Sequence, residues 1–518
     1  LLNDTAEPGD KKGTHMKNYR QRSTRREFLI FAGLGAGIGL GAGAGILALS
    51  GQRIWPFDGG DIGVRPSFPR AASTGRVRQY TFEVAPVNLT LGGRNISTWA
   101  YNGTLPGPEI RLIEGDTLRV TVKNRLPEST TIHWHGVPLI NPMDGVPDVT
   151  QPAVKSGQDF TYDFLVPAAG TYMYHSHAGL QLDRGLYGAL IVDSTKEAMN
   201  YDHDFVVVLD DWLDGMPGTP EDAMKQLIAG GDRMGGMGGM GGMGNGNMKS
   251  MQVPPDIVYP LYLINGKSSD DPFTMQIRQG QKARIRFINA SASTIYRLAL
   301  QGHRMTVTHT DGQPVEPVDV DAIRIGMGER YDVLVSGNNP GVWQLAAQVE
   351  GTKSMVRAIL RYTGSTAPLP PATSVPPELM RQMLTYNMLK AAPGLVVPPA
   401  GNPDQLIPIQ LSGGMGQYVW KINDRVFPQA EQIAVGKMQL IRFQFESKSM
   451  MPHPMHLHGH FFQVDNGTGR GPLKDTVLVD PMQKLAMNWI SDNPGSWAFH
   501  CHNRYHENAG MMRVVKVG

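Results

Sequence analysis

Ten of the fifteen histidines fall in four short clusters: His133-Trp-His135, His175-Ser-His177, His453-Pro-Met-His456-Leu-His458, and His500-Cys501-His502 with His506. Residues two apart on an extended strand share a face, so each His-x-His pair presents two imidazoles in one direction. One such pair could be a surface or core feature with no ligand role. Four pairs at matching positions, offering eight imidazoles together, point to a shared metal site. Imidazole suits several transition metals, so the histidines alone do not name the ion.

Cys501 narrows the choice. It is the chain's one cysteine, which excludes an internal disulfide and leaves the thiol to another purpose. His500 and His502 face one way along a strand, so Cys501 between them faces the other and serves a separate site behind the histidine cluster. His506 follows five residues later and Met511 ten residues later, while His453 precedes the His456/His458 pair. One thiolate, two imidazoles and a weak axial thioether form the blue-copper ligand set. Zinc is disfavoured, because one thiolate beside a thioether is not a normal zinc shell. A buried inert thiol is the bland alternative, and it leaves the neighbouring His and Met unexplained.

The elements that must hold these residues are strands, in a weak threefold repeat. Asn102-Gly103 precedes an apolar-alternating stretch over residues 108–122, Asn265-Gly266 one over 273–287, and Asn423-Asp424 one over 430–443. Each reads as turn, strand, Gly-containing turn and strand, at a spacing of about 160 residues. A closing strand recurs as well. The segment beginning at Gly170 and ending in His175-Ser-His177 lines up with the one beginning at Gly495 and ending in His500-Cys-His502. Gly341-Val-Trp-Gln-Leu-Ala346-Ala-Gln348 has the same frame without histidines, and Ala299-Leu-Gln301 stands where His456-Leu-His458 stands in the last unit. The chemistry therefore belongs to the outer units, and the middle one reads as a spacer. Helical periodicity is scarce, so the expected fold is all-β, with three sandwich domains at 73–196, 197–365 and 403–518 and a linker over 366–402.

Composition excludes a nucleic-acid binder. The formal net charge is +2 over 518 residues, and the first fifty carry seven Lys/Arg against four Asp/Glu, so the remainder is close to neutral. Residues 1–72 read as a signal and linker region. Arg25-Arg26 before a glycine-rich apolar run over residues 28–49 resembles a twin-arginine signal, which implies the twin-arginine export machinery as partner and the periplasm as destination. A membrane anchor is the alternative for that run, and so many glycines make it a poor one.

From the four histidine clusters, Cys501 and Met511, the chain resembles the three-domain bacterial multicopper oxidases over residues 76–518. The resemblance implies cupredoxin-like Greek-key domains and four coppers. By it, His453, Cys501, His506 and axial Met511 hold the type 1 ion, and His133 with His456 the type 2 ion. His135, His175 and His502 hold one type 3 ion; His177, His458 and His500 hold the other. The implied reaction couples four one-electron oxidations of substrate to reduction of dioxygen to water. Asp144 and Glu507 match carboxylates that deliver protons in related bacterial enzymes, although each residue type also suits a plain turn or solvated surface. A methionine at 511 implies a low to moderate potential.

The reductant is less legible. Met234, Met237, Met240, Met243, Met248 and Met251 punctuate a glycine-rich stretch, and thioethers select cuprous ion. A disordered linker is the bland reading of such composition, but it does not account for six methionines. The tract resembles the methionine-rich segments of copper-tolerance oxidases, although theirs often lie elsewhere in the chain. Met450 and Met451, just before His453, complete the expected cuprous-ion site, while Ser449 stands where some cuprous oxidases carry an acid. Met380, Met383 and Met388 read instead as a helix packing face. A laccase acting on phenols and aromatic amines is the alternative, and a copper-storage protein a weaker one. A copper nitrite reductase would leave half of the histidine pairs unexplained.

Overall fold

The computed structural model describes residues 71–197, 199–216, 218–230, 255–395, 398, 401–414 and 416–518. The twin-arginine pair, the apolar run over 28–49 and the methionine tract from Met234 to Met251 lie outside them. Among the described residues, no helix is long and apolar enough to cross a membrane.

Among the described residues, six sheets share three main cores. Two four-stranded sheets enclose a core that includes Phe82, Val120, Trp134, Tyr162 and Tyr174. A six-stranded and a five-stranded sheet enclose each of the other two, around Leu209, Phe287 and Leu345 and around Phe443, Trp489 and Phe499. The fold is all-β, as the alternation of apolar residues predicts. The cores are not sealed from one another. Phe461 from the last repeat is buried in the first core, and Leu180 and Leu182 from the first repeat are buried in the last.

The threefold repeat extends to single hydrogen bonds. Asn102, Asn265 and Asn423 all adopt positive φ, as do the Gly103, Gly266 and Asp424 that follow. Two successive positive-φ residues define the tight hairpin turn that suits the twist of paired strands. Each Asn side chain then binds an earlier strand twice. Oδ1 accepts from the peptide N–H of Glu83, Val208 or Gln410, and Nδ2 donates to the carbonyl of Thr81, Val206 or Pro408.

The closing strands are Gly170–His175, Val342–Val349 and Gly495–Cys501, and each pairs antiparallel with the strand that carries the repeat's other histidines or their counterparts. The register places His133 opposite His175, His456 opposite His500, and Ala299 opposite Ala346. One cross-strand position is therefore His–His in the outer repeats and Ala–Ala in the middle one.

The linker differs from expectation. Its methionines do not share a helix: Pro377–Met380 and Tyr386–Met388 are separate short 3-10 turns. Met383 packs beside Leu379 and Met388 against the middle core, whereas Met380 is exposed. The first turn ends at Arg381, whose φ of −98° and ψ of −143° lie outside the helical region.

Candidate metal centre

The eight imidazoles of the four His-x-His pairs converge between the outer repeats. Ligand-capable atoms lie within 4.8 Å of one another in the sets His133/His135/His456, His135/His175/His502 and His177/His458/His500. Every one of these rings is buried. The His177 and His458 Nε2 atoms lie 3.4 and 3.0 Å from His500 Nε2, and the His133/His456 and His175/His502 Nε2 pairs are each 3.4 Å apart.

In the His133/His456 and His458/His500 pairs these approaches are not hydrogen bonds, because the protons are committed elsewhere. His133 Nδ1 donates to the Asp144 carbonyl (2.8 Å) and His456 Nδ1 to the Asp475 carbonyl (2.9 Å). His458 Nδ1 donates to Asp144 Oδ2 (2.9 Å) and His500 Nδ1 to the Cys501 carbonyl (3.0 Å). A neutral imidazole with N–H on one nitrogen has only a lone pair on the other. Lone pairs therefore face lone pairs at about 3 Å, an arrangement that a cation stabilises and nothing else in the site satisfies. Burial also holds the rings of His135, His175, His177, His458 and His502 well below the usual imidazole range and that of His456 at about 4, which keeps them in the metal-binding form. The residues fit copper.

Cys501 faces away from this cluster, as strand alternation requires. Its Sγ lies 3.7 Å from His453 Nδ1 and 3.5 Å from His506 Nδ1, and those two nitrogens are 3.1 Å apart. Met511 is buried in the same core cluster as Cys501; its N–H donates to the His506 carbonyl and its carbonyl accepts from the Cys501 N–H. Burial pushes the Cys501 thiol well above its usual range, a cost that a bound cation offsets. The Trp420 ring covers His506 at 4.1 Å between centroids.

The two expected carboxylates both reach the rings. Asp144, buried at the end of the short turn Asn141–Met143, bridges His458 and His133 (Oδ1 to Nδ1 3.3 Å). Glu507 sits on the helix Arg504–Asn508, 3.1 Å from His500 Nδ1 and 3.6 Å from His177 Nδ1, and is paired to Arg504. Burial alone would raise the Glu507 carboxyl; Arg504 and His500 outweigh it and hold the group below the usual range.

Three further residues were not legible as site residues. Asp475 Oδ1 and Thr476 Oγ1 each lie 3.1 Å from His135 Nε2, and Asp256 Oδ2 lies 2.6 Å from His506 Nε2. The one available signal for Asp475 is a charged pair, Lys474-Asp475, inside the apolar run Leu473 to Val479. Asp256 has no such signal, because only the fold brings it to His506. The expected methionine pair divides. Met450 is 47% exposed, but Met451 is 5% exposed and packs in the third core, so it is a core residue and not a surface thioether. Ser449 is buried and accepts from the Met451 N–H.

The spacer reading of the middle repeat is also corrected. It supplies no ring to the cluster, yet its Arg330 makes a bidentate pair with Asp475 (2.7 and 2.6 Å), and its Asp311 and Glu329 both hold Lys474 at 3.1 Å. Burial would raise the Asp475 carboxyl, but Arg330 and His135 hold it well below its usual range.

Three cupredoxin-type repeats with a thiolate site wired to a histidine cluster define a copper oxidoreductase. Family models described as multicopper oxidase match residues 83–197, 203–365 and 401–518, and the chain belongs to the multicopper oxidases. It is 40% identical to multicopper oxidase MmcO of Mycobacterium tuberculosis over 95% of this chain and 96% of that one. It is 29% identical to copper resistance protein A of Escherichia coli, over 87% and 94% respectively. Among solved structures, the laccase of Botrytis aclada superposes with a TM-score of 0.72 at 27% identity, covering 86% of this chain and 88% of that one. The protein is thus an enzyme with four coppers, one type 1, one type 2 and two type 3, that couples oxidation of a reductant to reduction of dioxygen. Membership of an oxidase family disposes of the storage reading.

Proposed function

We propose that the enzyme is an exported cuprous oxidase serving copper tolerance, with the ligand sets named above. His453, Cys501, His506 and Met511 form the electron-accepting site, and the eight paired histidines form the oxygen site. Bound copper supplies the one-electron redox chemistry and the binding of dioxygen. The chain supplies position and dryness: every proposed ligand is buried, and Cys501 is joined directly by peptide bonds to His500 and His502. Periplasmic delivery by the twin-arginine route rests on Arg25-Arg26 and on the kinship with proteins named for copper resistance.

The observation that carries the cuprous reading is Asp256. Its carboxylate is 1% exposed, hydrogen-bonded to His506 Nε2 and accepting from Tyr418 OH at 3.0 Å. The outer nitrogen of His506 is therefore already engaged, which leaves no free ring N–H for a phenol oxygen. A fixed negative charge at the same place favours a cation. The methionine tract, ending five residues before Asp256, offers soft ligands to collect that cation.

The test is oxygen uptake driven by cuprous ion against uptake driven by a phenolic dye. Deleting residues 234–251 should slow cuprous oxidation and leave phenol oxidation unchanged or faster, with the blue absorption intact. If cuprous kinetics and cellular copper tolerance survive the deletion, the tract is a linker. The laccase reading, which the likeness to the Botrytis aclada enzyme favours, then takes its place. Arg25→Lys with Arg26→Lys should strand the protein in the cytoplasm, and normal periplasmic accumulation would refute the twin-arginine route.

A further inference from the structure

His135 differs from the other rings of the cluster. In the facing pairs described above the inward nitrogen is Nε2, whereas His135 turns Nε2 outward, toward Asp475 and Thr476. Its Nδ1 is buried and has no hydrogen-bond partner among the described residues. For Nδ1 to ligate a metal, the ring proton must sit on Nε2, and an acceptor must be fixed there to hold it.

We propose that Arg330, on the middle repeat, is a positioning residue that sets this ring: it clamps the Asp475 carboxylate against His135 Nε2 so that Nδ1 faces the copper site. The inference rests on the ligand assignment proposed above. Arg330 is fully buried, and its planar fork fixes both the place and the plane of the carboxylate, with Nη1 on Oδ1 and Nη2 on Oδ2. Its other hydrogen bonds go to backbone carbonyls of the first repeat and of its own. Nε donates to the Thr171 carbonyl (3.0 Å), on the closing strand that ends in His175, and Nη1 also donates to the Gly328 carbonyl (3.0 Å). One guanidinium thus joins all three repeats beside the cluster. The Asp475 carbonyl in turn accepts from His456 Nδ1, so a shift of residue 475 moves two rings.

Gly328 seats the clamp. Its φ is +82°, and a Cβ there would stand 2.9 Å from His135 Cε1 and 3.0 Å from His502 Cδ2. The backbone of the middle repeat lies directly against two proposed ligands, with no room for a side chain.

The test compares copper-loaded wild type with Arg330→Lys, Arg330→Gln, Gly328→Ala and a matched control, Arg284→Lys. Arg284 is another buried guanidinium on the same sheet, paired with Asp332 and Glu197, and it touches no proposed ligand. Chelator competition should show the cluster copper held about 10–100-fold more weakly in both Arg330 variants. Their near-ultraviolet shoulder should fall relative to the blue band, and the blue band itself should stay, since no partner of Arg330 touches His453, Cys501 or His506. Gly328→Ala should lower the same shoulder, which keeps the inference testable if Arg330→Gln fails to fold. Arg284→Lys should leave the copper affinity and the shoulder as in wild type. Wild-type affinity and shoulder in Arg330→Lys would overturn the proposal. So would an equal loss in Arg284→Lys, because any broken buried fork would then suffice. A wild-type enzyme with a blue band but no shoulder would contradict the ligand assignment instead.

Discussion

Cys501→Ser should bleach the enzyme and stop it. The blue colour expected of the copper-loaded protein arises from charge transfer between a thiolate and its copper, and Cys501 is the chain's one thiol. Serine keeps the shape of the side chain, and its hydroxyl is a far poorer ligand for a soft, oxidisable copper. Turnover should fall by more than the 10–100-fold that altering a mere supporting residue costs, because the mononuclear site would lose its link to His500 and His502. The cluster copper should remain, since Cys501 Sγ faces His453 and His506 and touches none of the eight paired rings. Absorption, metal content and oxygen uptake measured on one preparation decide the matter. A variant that keeps its blue band would show that the sulfur is not a ligand. A variant that loses all of its copper would show that the two sites are not separable as the geometry implies.

What could be read from the residues alone was set by periodicity. Alternation along a strand fixes the face of every second residue, so the opposite orientations of Cys501 and its flanking histidines followed without coordinates. The repeat frame went further: His456 aligned with Ala299 and His500 with Ala346, and in the structure these equivalent positions form equivalent cross-strand pairs. Periodicity is silent about what packs across a domain boundary. Asp256 reaches His506 across 250 residues of sequence, and Arg330 reaches Asp475 across 145. Neither contact has a local pattern. A middle repeat without the His-x-His pairs therefore read as a spacer, although its buried charges hold the residues that hold the rings. The same limit explains Met451, whose thioether matched the expected chemistry and whose loop before the strand His453–Leu457 turns it into the core.

Asp144→Asn and Glu507→Gln should separate copper binding from oxygen reduction. Forming water consumes four protons per dioxygen, and a buried site cannot draw them freely from solvent. Asp144 touches His133 and His458, whereas Glu507 touches His500 and His177, so one carboxylate stands by each of two faces of the cluster. Glu507 is held ionised by Arg504 and His500, and so must take up a proton before it can pass one on. Removing a positioned proton donor typically costs about 10²–10⁴-fold. Each amide keeps the shape of its acid and can still accept from an imidazole N–H, so both variants should retain four coppers and the blue band. Reoxidation of the fully reduced enzyme by dioxygen should slow in each, and most in the double variant. Stopped-flow return of the blue band, read beside copper content, distinguishes the outcomes. Copper lost in step with rate would mean that the carboxylates only orient the rings. Full copper with wild-type reoxidation in both variants would remove them from the proton path.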